Sequence, residues 1–221
     1  MLTGANRTPA RRKTWERQWY LREKPTMFDD VREDWRTYGG SLCYQGLWVM
    51  LVYRFGRWRY RLRPALLRKP FSLIYKVMRL GVQAVTGVDL PCETQVGRRL
   101  RIMHFGDIIV SREAVIGDDV ILRNGVTLGV KRTCPHGAPR IGNRVDIGAG
   151  AKILGPVTIG DDAVIGANAV VLRDVPPGTI AIGIPARILP LRRDGDPDEG
   201  GVSAKPDSAD PSGRHAAPQV D

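Results

Sequence analysis

Residues 88–190 repeat with a period of six. The residue after each repeated aliphatic position is often Gly, and the fourth residue after it is usually small or aliphatic. A period of six fits neither an α-helix, with about 3.6 residues per turn, nor a strand that alternates between two faces. The aliphatic positions are Val96, Ile102, Ile108, Ile116, Leu122, Leu128, Ile141, Ile147, Ile153, Ile159, Ile165 and Val171.

This pattern predicts a left-handed parallel β-helix built from hexapeptide repeats. Each six-residue unit forms one flat face of a triangular coil and points its aliphatic side chain inward. Twelve units, taken three to a coil, predict about four coils. Stacking these coils buries the aliphatic positions and pairs the backbone between turns.

Two breaks interrupt the period. One is a two-residue slip between Ile108 and Ile116, and the other is a long excursion, GVKRTCPHGAPR, between Leu128 and Ile141. A loop that leaves a regular solenoid is a common place for binding and catalytic residues. We therefore expect residues of the excursion to contribute to function.

The chain before the repeats predicts an α-helical segment over residues 27–87, followed by a β-helix domain over residues 88–191. Three helices are expected. The first begins near Asp29, the second runs from about Ser41 to Arg63 and is ended by the following proline, and the third runs from Phe71 to about Val85.

The two ends of the chain lack apolar periodicity. Residues 1–26 are predicted to be a disordered basic extension, and residues 192–221 a disordered tail. A better-ordered stretch begins at Met27, so Met27 is an alternative to Met1 as the start of the protein.

Positive charge is concentrated in the N-terminal part of the chain. Residues 1–86 hold 18 of the 34 Lys and Arg but only 6 of the 23 Asp and Glu. Such a region can contact nucleic acid, an anionic membrane or an acidic ligand. No nucleic-acid motif accompanies it, so no nucleic-acid partner is expected. The basic, aromatic helix at Leu47–Arg63 is expected to pack within an oligomer, with peripheral membrane contact of the N-terminal helices as the alternative.

The cysteines and the apolar segments indicate the cellular compartment in which the protein is expected. Cys43, Cys92 and Cys134 are odd in number and form no C-x-x-C motif, which argues against a disulfide framework and a structural zinc site. The chain opens without an apolar signal core, and its longest apolar stretch is too short to span a bilayer. We expect a cytoplasmic protein without a bound metal.

Histidine is scarce, and this limits the reactions that the repeat region can catalyse. The three histidines are His104, His136 and His215, and the last lies in the predicted tail. A zinc-dependent β-helix enzyme needs several histidine ligands within the repeats. Acyl transfer needs one histidine, which removes a proton from an acceptor hydroxyl, and an acidic partner that holds the imidazole in the correct tautomer.

From Asp89 to Leu189 the chain resembles the serine acetyltransferases. The resemblance rests on three segments, VTLG at 126–129, IGAGAKILG at 147–155 and VPPGTIAIGIPARIL at 175–189. It implies an acetyl-CoA-dependent O-acetyltransferase in which His104 is the general base. In that family an Asp fifteen residues earlier orients the base, and Asp89 stands at that position here.

The resemblance also implies where the co-substrate binds. CoA is expected along an edge of the prism near Gly129, Ala149 and Ala167, with Lys131 and Arg187 near its phosphates. The small-molecule acceptor would bind in an active site between subunits of a homotrimer or of a dimer of trimers.

The chain departs from the serine acetyltransferase pattern at the acceptor. Where the family has Arg-His to hold serine, Gly137-Ala138 precede Pro139, so His136 and Arg140 are the candidate substrate-binding residues. Met103 replaces an Asp that precedes the catalytic histidine in the family. The opening at Arg32–Trp58 is similar to that of the short, colanic-acid-type exopolysaccharide acetyltransferases.

Three hypotheses follow from these observations. Serine O-acetylation for cysteine biosynthesis is preferred, and O-acetylation of a sugar in exopolysaccharide biosynthesis is the first alternative. A non-catalytic scaffold is the second, and the presence of both Asp89 and His104 argues against it.

Overall fold

The structure is a computed structural model that describes residues 26–62, 65–104, 106–131 and 137–191. Three helices precede the strands in these ranges: α1 (Met27–Thr37), α2 (Gln45–Arg59) and α3 (Ala65–Thr86). The strands are β1 (Val88–Asp89), β2 (Gln95–Val96), β3 (Arg101–Met103), β4 (Ile108–Val110), β5 (Val115–Ile116), β6 (Ile121–Arg123), β7 (Thr127–Gly129), β8 (Arg140–Ile141), β9 (Asp146–Ile147), β10 (Lys152–Leu154), β11 (Thr158–Ile159), β12 (Val164–Ile165), β13 (Val170–Val171), β14 (Thr179–Ile182) and β15 (Arg187–Pro190).

The strands form the three faces of a prism. Face 1 contains β1, β4, β7, β10 and β13, face 2 contains β2, β5, β8 and β11, and face 3 contains β3, β6, β9, β12, β14 and β15. All neighbours are parallel except β15, which folds back antiparallel on β14. The chain visits the faces in the same order in each of four coils, and β13, a bridge from Val175 to Ile159, and β14 form a closing turn. The predicted parallel β-helix of about four coils is confirmed.

Aliphatic stacks fill the interior of the prism. On face 2, Val96, Ile116, Ile141 and Ile159 lie in register and are buried. Full burial of one such side chain contributes about 1.5–3 kcal/mol. The glycine after each stack position lets successive coils approach closely, since a Cβ at Gly117 would lie 2.4 Å from the carbonyl oxygen of Gly142. The six-residue pattern therefore encodes both the core and the contact between coils.

The two-residue slip lies at a different corner from the one predicted. Ile102 pairs with Leu122 and Val110 with Leu128, so the extra residues fall between Ile102 and Val110 rather than after Ile108. The prediction was wrong because Ile108 is also fully buried. It begins β4, two residues before the stack position Val110, and is equivalent to Val126 of the next coil, where a second inward-facing aliphatic residue is usual.

The helix bounds also differ from those expected. Helix α2 ends at Arg59 rather than Arg63, and α3 begins at Ala65 rather than Phe71, so that Pro70 lies within it. The Phe71 ring, next to Pro70 in this helix, packs 5.4 Å from the ring of Trp58 on α2. None of the helices in the described ranges is both long and apolar enough to cross a membrane.

Tyrosines from the helices cap the first coil, which has no coil above it. The Tyr53 hydroxyl donates to the Thr94 carbonyl oxygen at 2.8 Å and accepts from the Val96 N–H at 3.2 Å. The Tyr38 hydroxyl bridges the Leu100 carbonyl oxygen and the Ile102 N–H in the same way, at 3.2 and 3.0 Å. These hydroxyls supply the hydrogen bonds that a neighbouring strand would give to β2 and β3.

A buried ion pair fixes the first two helices to the prism. Arg54 on α2 donates from Nε to Asp34 on α1 at 2.8 Å, and from Nη2 to the Gly97 carbonyl oxygen at 3.2 Å. Burial raises the pKa of Asp34, while the hydrogen bond and the charge of Arg54 act in the opposite direction. Removing either partner would leave the other charge buried and unpaired, so the pair fixes the orientation of α1 and α2.

We expect Tyr53→Phe to lower the free energy of unfolding by about 1–3 kcal/mol, because a buried carbonyl and a buried N–H lose their partner. Urea unfolding of the full chain, followed by circular dichroism at one fixed protein concentration, measures the change. Tyr44→Phe is the matched control, since the Tyr44 side chain is exposed. Equal stabilities of the two variants would show that the Tyr53 hydroxyl does not cap the coil.

Candidate active site

The prism edge between faces 2 and 3 is occupied by ion pairs. Its stacked corner residues Arg99, Asp119, Arg144 and Asp162 all have positive φ angles, between 54° and 59°. Arg99 pairs with Asp119 at 2.6 Å, and Arg144 with Asp162 at 2.6 Å. The charged side chains at this edge are therefore used to hold successive coils together.

The edge between faces 3 and 1 has a different composition. Strand register stacks His104, Asn124, Ala149 and Ala167 at equivalent corners of the four coils. Hydrogen bonds continue this stack, since the Asn168 N–H donates to the Ala149 carbonyl oxygen at 2.8 Å. Below the first coil, only short side chains occupy these corners, which leaves room for an extended ligand along the edge. We call this edge the His104 edge.

His104 lies in the corner that holds the two-residue slip. Seven positions separate Ile102 from Ile109, whereas five separate the equivalent Leu122 and Thr127 of the next coil. His104 has a φ of 60°, an uncommon value for a residue other than glycine, and its side chain is exposed. The ion-paired corner residues of the other edge share this conformation, so it marks a corner of the prism, and the exposure of the side chain is what makes His104 available to a ligand.

The enlarged corner packs against the junction between α3 and β1. Gly87 has a φ of 66°, and a Cβ at this position would lie 3.1 Å from the backbone nitrogen of Asp107. Residue 87 therefore suits glycine for two reasons, its conformation and the close approach of the corner. Because Asp89 follows two residues later, this packing brings β1 next to the loop that carries His104.

Asp89 is bound by an arginine that the sequence analysis did not identify. Arg79 on α3 donates from Nη2 to Asp89 Oδ1 at 2.5 Å, and both side chains are partly buried. Burial lowers the pKa of Arg79, but the hydrogen bond and the charge of Asp89 outweigh burial and raise it. No hydrogen bond joins Asp89 to His104 among the described residues, so the predicted pairing of these two side chains stays a prediction.

The remaining predicted residues that the structure describes lie in four separate places. Ala149 and Ala167 share the His104 edge, whereas Gly129 is the last residue of β7, at the other end of face 1, and Lys131 lies two residues beyond it. Arg140 is exposed at the start of β8 on face 2. Arg187 begins β15 at the C-terminal end of the prism. His136 lies outside the described residues.

A groove of about 810 Å³ lies next to the last strand of face 1, β13, at the C-terminal end of the His104 edge. It is lined by Leu172, Arg173, Ile182, Gly183, Ile184, Pro185, Ala186 and Arg187. Four coil steps of about 4.8 Å separate His104 from the groove, a span of about 19 Å. A ligand extended along the edge from His104 would reach this groove and the two arginines that line it, Arg173 and Arg187.

Two further basic residues at the site escaped the sequence analysis. Arg173 lies in the groove and donates to the Ala186 carbonyl oxygen at 3.4 Å. Lys152 on β10 donates to the Gly125 carbonyl oxygen at 2.6 Å, on the His104 edge. Both residues occupy outward-facing positions of the repeat. A search for basic residues at these positions could therefore have identified them from the sequence. No signal pointed to Arg79, whose partner is ten positions away in another element.

A metal site finds no support in the part of the chain that the structure describes. There, no group of three or more His, Cys, Asp or Glu side chains is arranged to hold a metal ion.

Comparison with known proteins identifies related sequences and structures. The family model "Bacterial transferase hexapeptide (six repeats)" matches residues 138–173. A serine acetyltransferase of Helicobacter pylori is 36% identical over 170 residues, which cover 76% of this chain and 91% of the relative. A serine acetyltransferase of Mycobacterium tuberculosis is 36% identical over 148 residues, 66% of this chain and 62% of the relative. The chain thus spans about three fifths of the length of this second relative.

A solved structure agrees with these matches. The crystal structure of a serine acetyltransferase from Brucella abortus in complex with coenzyme A has a TM-score of 0.64 and 28% sequence identity. The alignment covers 74% of this chain and 67% of that protein.

Proposed function

Because this chain belongs to the serine acetyltransferase family, we propose that it is an acetyl-CoA-dependent O-acetyltransferase with the hydroxyl of L-serine as its preferred acceptor. One observation carries the proposal. His104 occupies an enlarged corner at the head of an edge otherwise lined by short side chains, and this edge ends at a groove with two arginines. This arrangement suits a nucleotide-bearing thioester extended along the prism.

In the proposed reaction His104 acts as the general base. Its imidazole takes the proton of the acceptor hydroxyl while the hydroxyl oxygen bonds to the thioester carbonyl carbon. His104 then returns the proton to the departing CoA sulfur, and the products are an O-acetyl ester and CoA. Acetyl-CoA supplies the activated acyl group, and the backbone N–H groups of the prism edge are candidate donors to the oxyanion.

Asp89 and Arg79 support the base in this proposal. A carboxylate has two oxygens, and Arg79 occupies Oδ1 of Asp89. Oδ2 is then oriented to accept from the imidazole N–H, which fixes the tautomer that can remove a proton. Arg79 is a positioning residue, because it acts on His104 through Asp89.

The proposed binding residues for CoA fit the observed geometry in part. Ala149 and Ala167 lie along the His104 edge, and Arg187 lies in the groove at its end. Gly129 and Lys131 lie elsewhere on the same chain, so their contribution to CoA binding requires an adjacent subunit, as does that of Arg140 to acceptor binding. We propose a homotrimer, or a dimer of trimers, with the active site between subunits, and sedimentation velocity tests it. A cytoplasmic location, where acetyl-CoA is available, is part of the same proposal.

O-acetylation of a sugar is the second candidate function, and one observation favours it. Binding the serine carboxylate calls for a guanidinium in a bidentate pair, and Gly137-Ala138 stand where the family carries Arg-His. Residues 137–139 are buried, and Gly137 packs on Pro156 of the next coil. A carboxylate must then be bound by another basic residue, of which Arg140 is the sequence-predicted candidate, or the acceptor has no carboxylate.

His104→Ala is expected to lower kcat for acetyl transfer by at least about 10²-fold, because it removes the imidazole that takes the hydroxyl proton in the proposed reaction. Asp89→Asn should also lower kcat, since the amide favours the wrong tautomer. Thiol release from acetyl-CoA gives the rates, and CoA binding by calorimetry shows whether the variants are intact. A near-normal rate for His104→Ala would refute the assignment of the base.

Arg79→Met is expected to lower kcat about tenfold with little change in the KM for acetyl-CoA, because the Asp89 carboxylate loses the hydrogen bond that orients it. Arg79→Lys keeps a donor and should restore part of the rate. Arg68→Met on the same helix is the matched control, since Arg68 stacks on the Tyr60 ring rather than on Asp89. Equal effects of the Arg79 and Arg68 substitutions to Met would indicate a general role in stability.

The acceptor is tested by comparing serine, homoserine and a panel of sugars. We expect a high KM for serine and weak inhibition by cysteine, because loss of one charged hydrogen bond costs about 1.5–3 kcal/mol, or roughly ten- to a hundredfold in affinity. Tight inhibition by cysteine would show that the pocket binds an amino-acid carboxylate firmly. Turnover of a sugar without turnover of serine would establish the second candidate function.

A further inference from the structure

Helix α3 exposes a broad apolar surface on the side opposite to its packed side. Tyr75 is buried, and Val82 packs against the core. On the other side, Leu73 and Val77 are each 65% exposed and Leu80 is 69% exposed. We define the outer face of α3 as Leu73, Ile74, Val77, Met78, Leu80, Ala84 and Val85.

These residues form one continuous strip. Leu73, Val77, Leu80 and Ala84 follow each other at intervals of three or four, and a second row from Ile74 to Val85 runs beside them. At about 1.5 Å per residue, the strip is about 18 Å long. Exposed hydrophobic side chains on soluble proteins are usually scattered singly, and a continuous strip on one helix indicates a binding surface.

The charges on α3 indicate what kind of surface it binds. The helix contains Arg68, Lys69, Lys76 and Arg79 but no acidic residue. Lys69 and Lys76 are exposed and two turns apart. Lys76 lies three residues after Leu73 and four before Leu80, so the lysines border the apolar strip. Their alkyl chains can lie along it while their ammonium groups reach outward.

We propose that the outer face of α3 docks on a membrane surface rich in anionic phospholipids, with the helix parallel to that surface. The apolar strip enters the boundary between headgroups and acyl chains, and Lys69 and Lys76 contact lipid phosphates. A two-fold contact between two copies of this face fits less well, because it would bring two basic helices together without an acidic residue on either.

This surface differs from the one that the sequence suggested. The basic, aromatic helix of the sequence analysis corresponds to α2, but Arg54 and Arg59 of that helix are buried. Arg59 lies between the rings of Tyr60 and Tyr75, 4.6 and 4.4 Å from their centroids. The proposal therefore assigns membrane contact to α3, and it does not depend on which hydroxyl accepts the acetyl group.

Vesicle co-sedimentation of the full chain tests the proposal. The probes are phosphatidylcholine vesicles with roughly one-third phosphatidylglycerol and vesicles of phosphatidylcholine alone. We expect binding to the anionic vesicles that weakens as salt rises, and little binding to the neutral ones. Binding to neither kind, or equal binding to both, would overturn the proposal.

Substitutions assign any binding to this face. Leu73→Glu with Val77→Glu should lower vesicle binding at least tenfold, whereas Phe28→Glu, at an 82% exposed position on α1, should leave it unchanged. Undiminished binding of the double variant would place the contact elsewhere and overturn the proposal. Circular dichroism checks folding, and Val77→Ser with Leu80→Ser serves the same test if the charged variant does not fold.

Two additional measurements separate this proposal from the others. Sedimentation velocity without lipid shows whether the double variant changes self-association. A loss of oligomers by the double variant, with no vesicle binding by the unmodified chain, would assign the face to a second copy and overturn membrane docking. Thiol release in vesicle-free solution should be unchanged in the double variant, so failure of the proposed acetyl transfer is visible on its own.

Discussion

The hydrogen-bonded registry between coils is the constraint on which the rest of this structure depends. Each coil repeats the one before it, so an aliphatic side chain, a glycine or a charged corner residue meets its equivalent about 4.8 Å away. The buried stack led by Val96 and the ion pair of Arg99 with Asp119 both follow from this registry. A departure from it changes one corner and leaves the neighbouring coils in register.

The chain departs from this registry at the corner where a functional residue is expected. The enlarged corner that carries His104 is accommodated because Gly87 lets the α3–β1 junction approach it. Further down the same edge, short residues such as Ala149 and Ala167 leave space that the edge between faces 2 and 3 fills with paired charges. The space along the His104 edge, where we propose that CoA binds, thus arises from the short side chains at one edge of an otherwise uniform prism.

The helices do more than close the end of the prism. Tyr38 and Tyr53 satisfy backbone groups that the first coil leaves open. Helix α3 carries Arg79 on its packed side, where it binds Asp89, and an unpartnered apolar strip on the opposite side. Helix α3 therefore joins the candidate site to the proposed membrane surface, while α1 and α2 supply the cap of the first coil.

The sequence by itself determined the β-helix, the number of coils and the inward ladder, because a period of six is a local property repeated twelve times. It also singled out His104, through scarcity and family resemblance. Only the tertiary structure decided which corner carries the slip. Ile108 is buried although it lies two residues before the stack position Val110, and the sequence pattern cannot distinguish these two kinds of inward-facing position. The Arg79–Asp89 pair and the separation of Lys131 and Arg140 from the His104 edge were likewise decided by packing, because they depend on how helix, coil and edge meet in space.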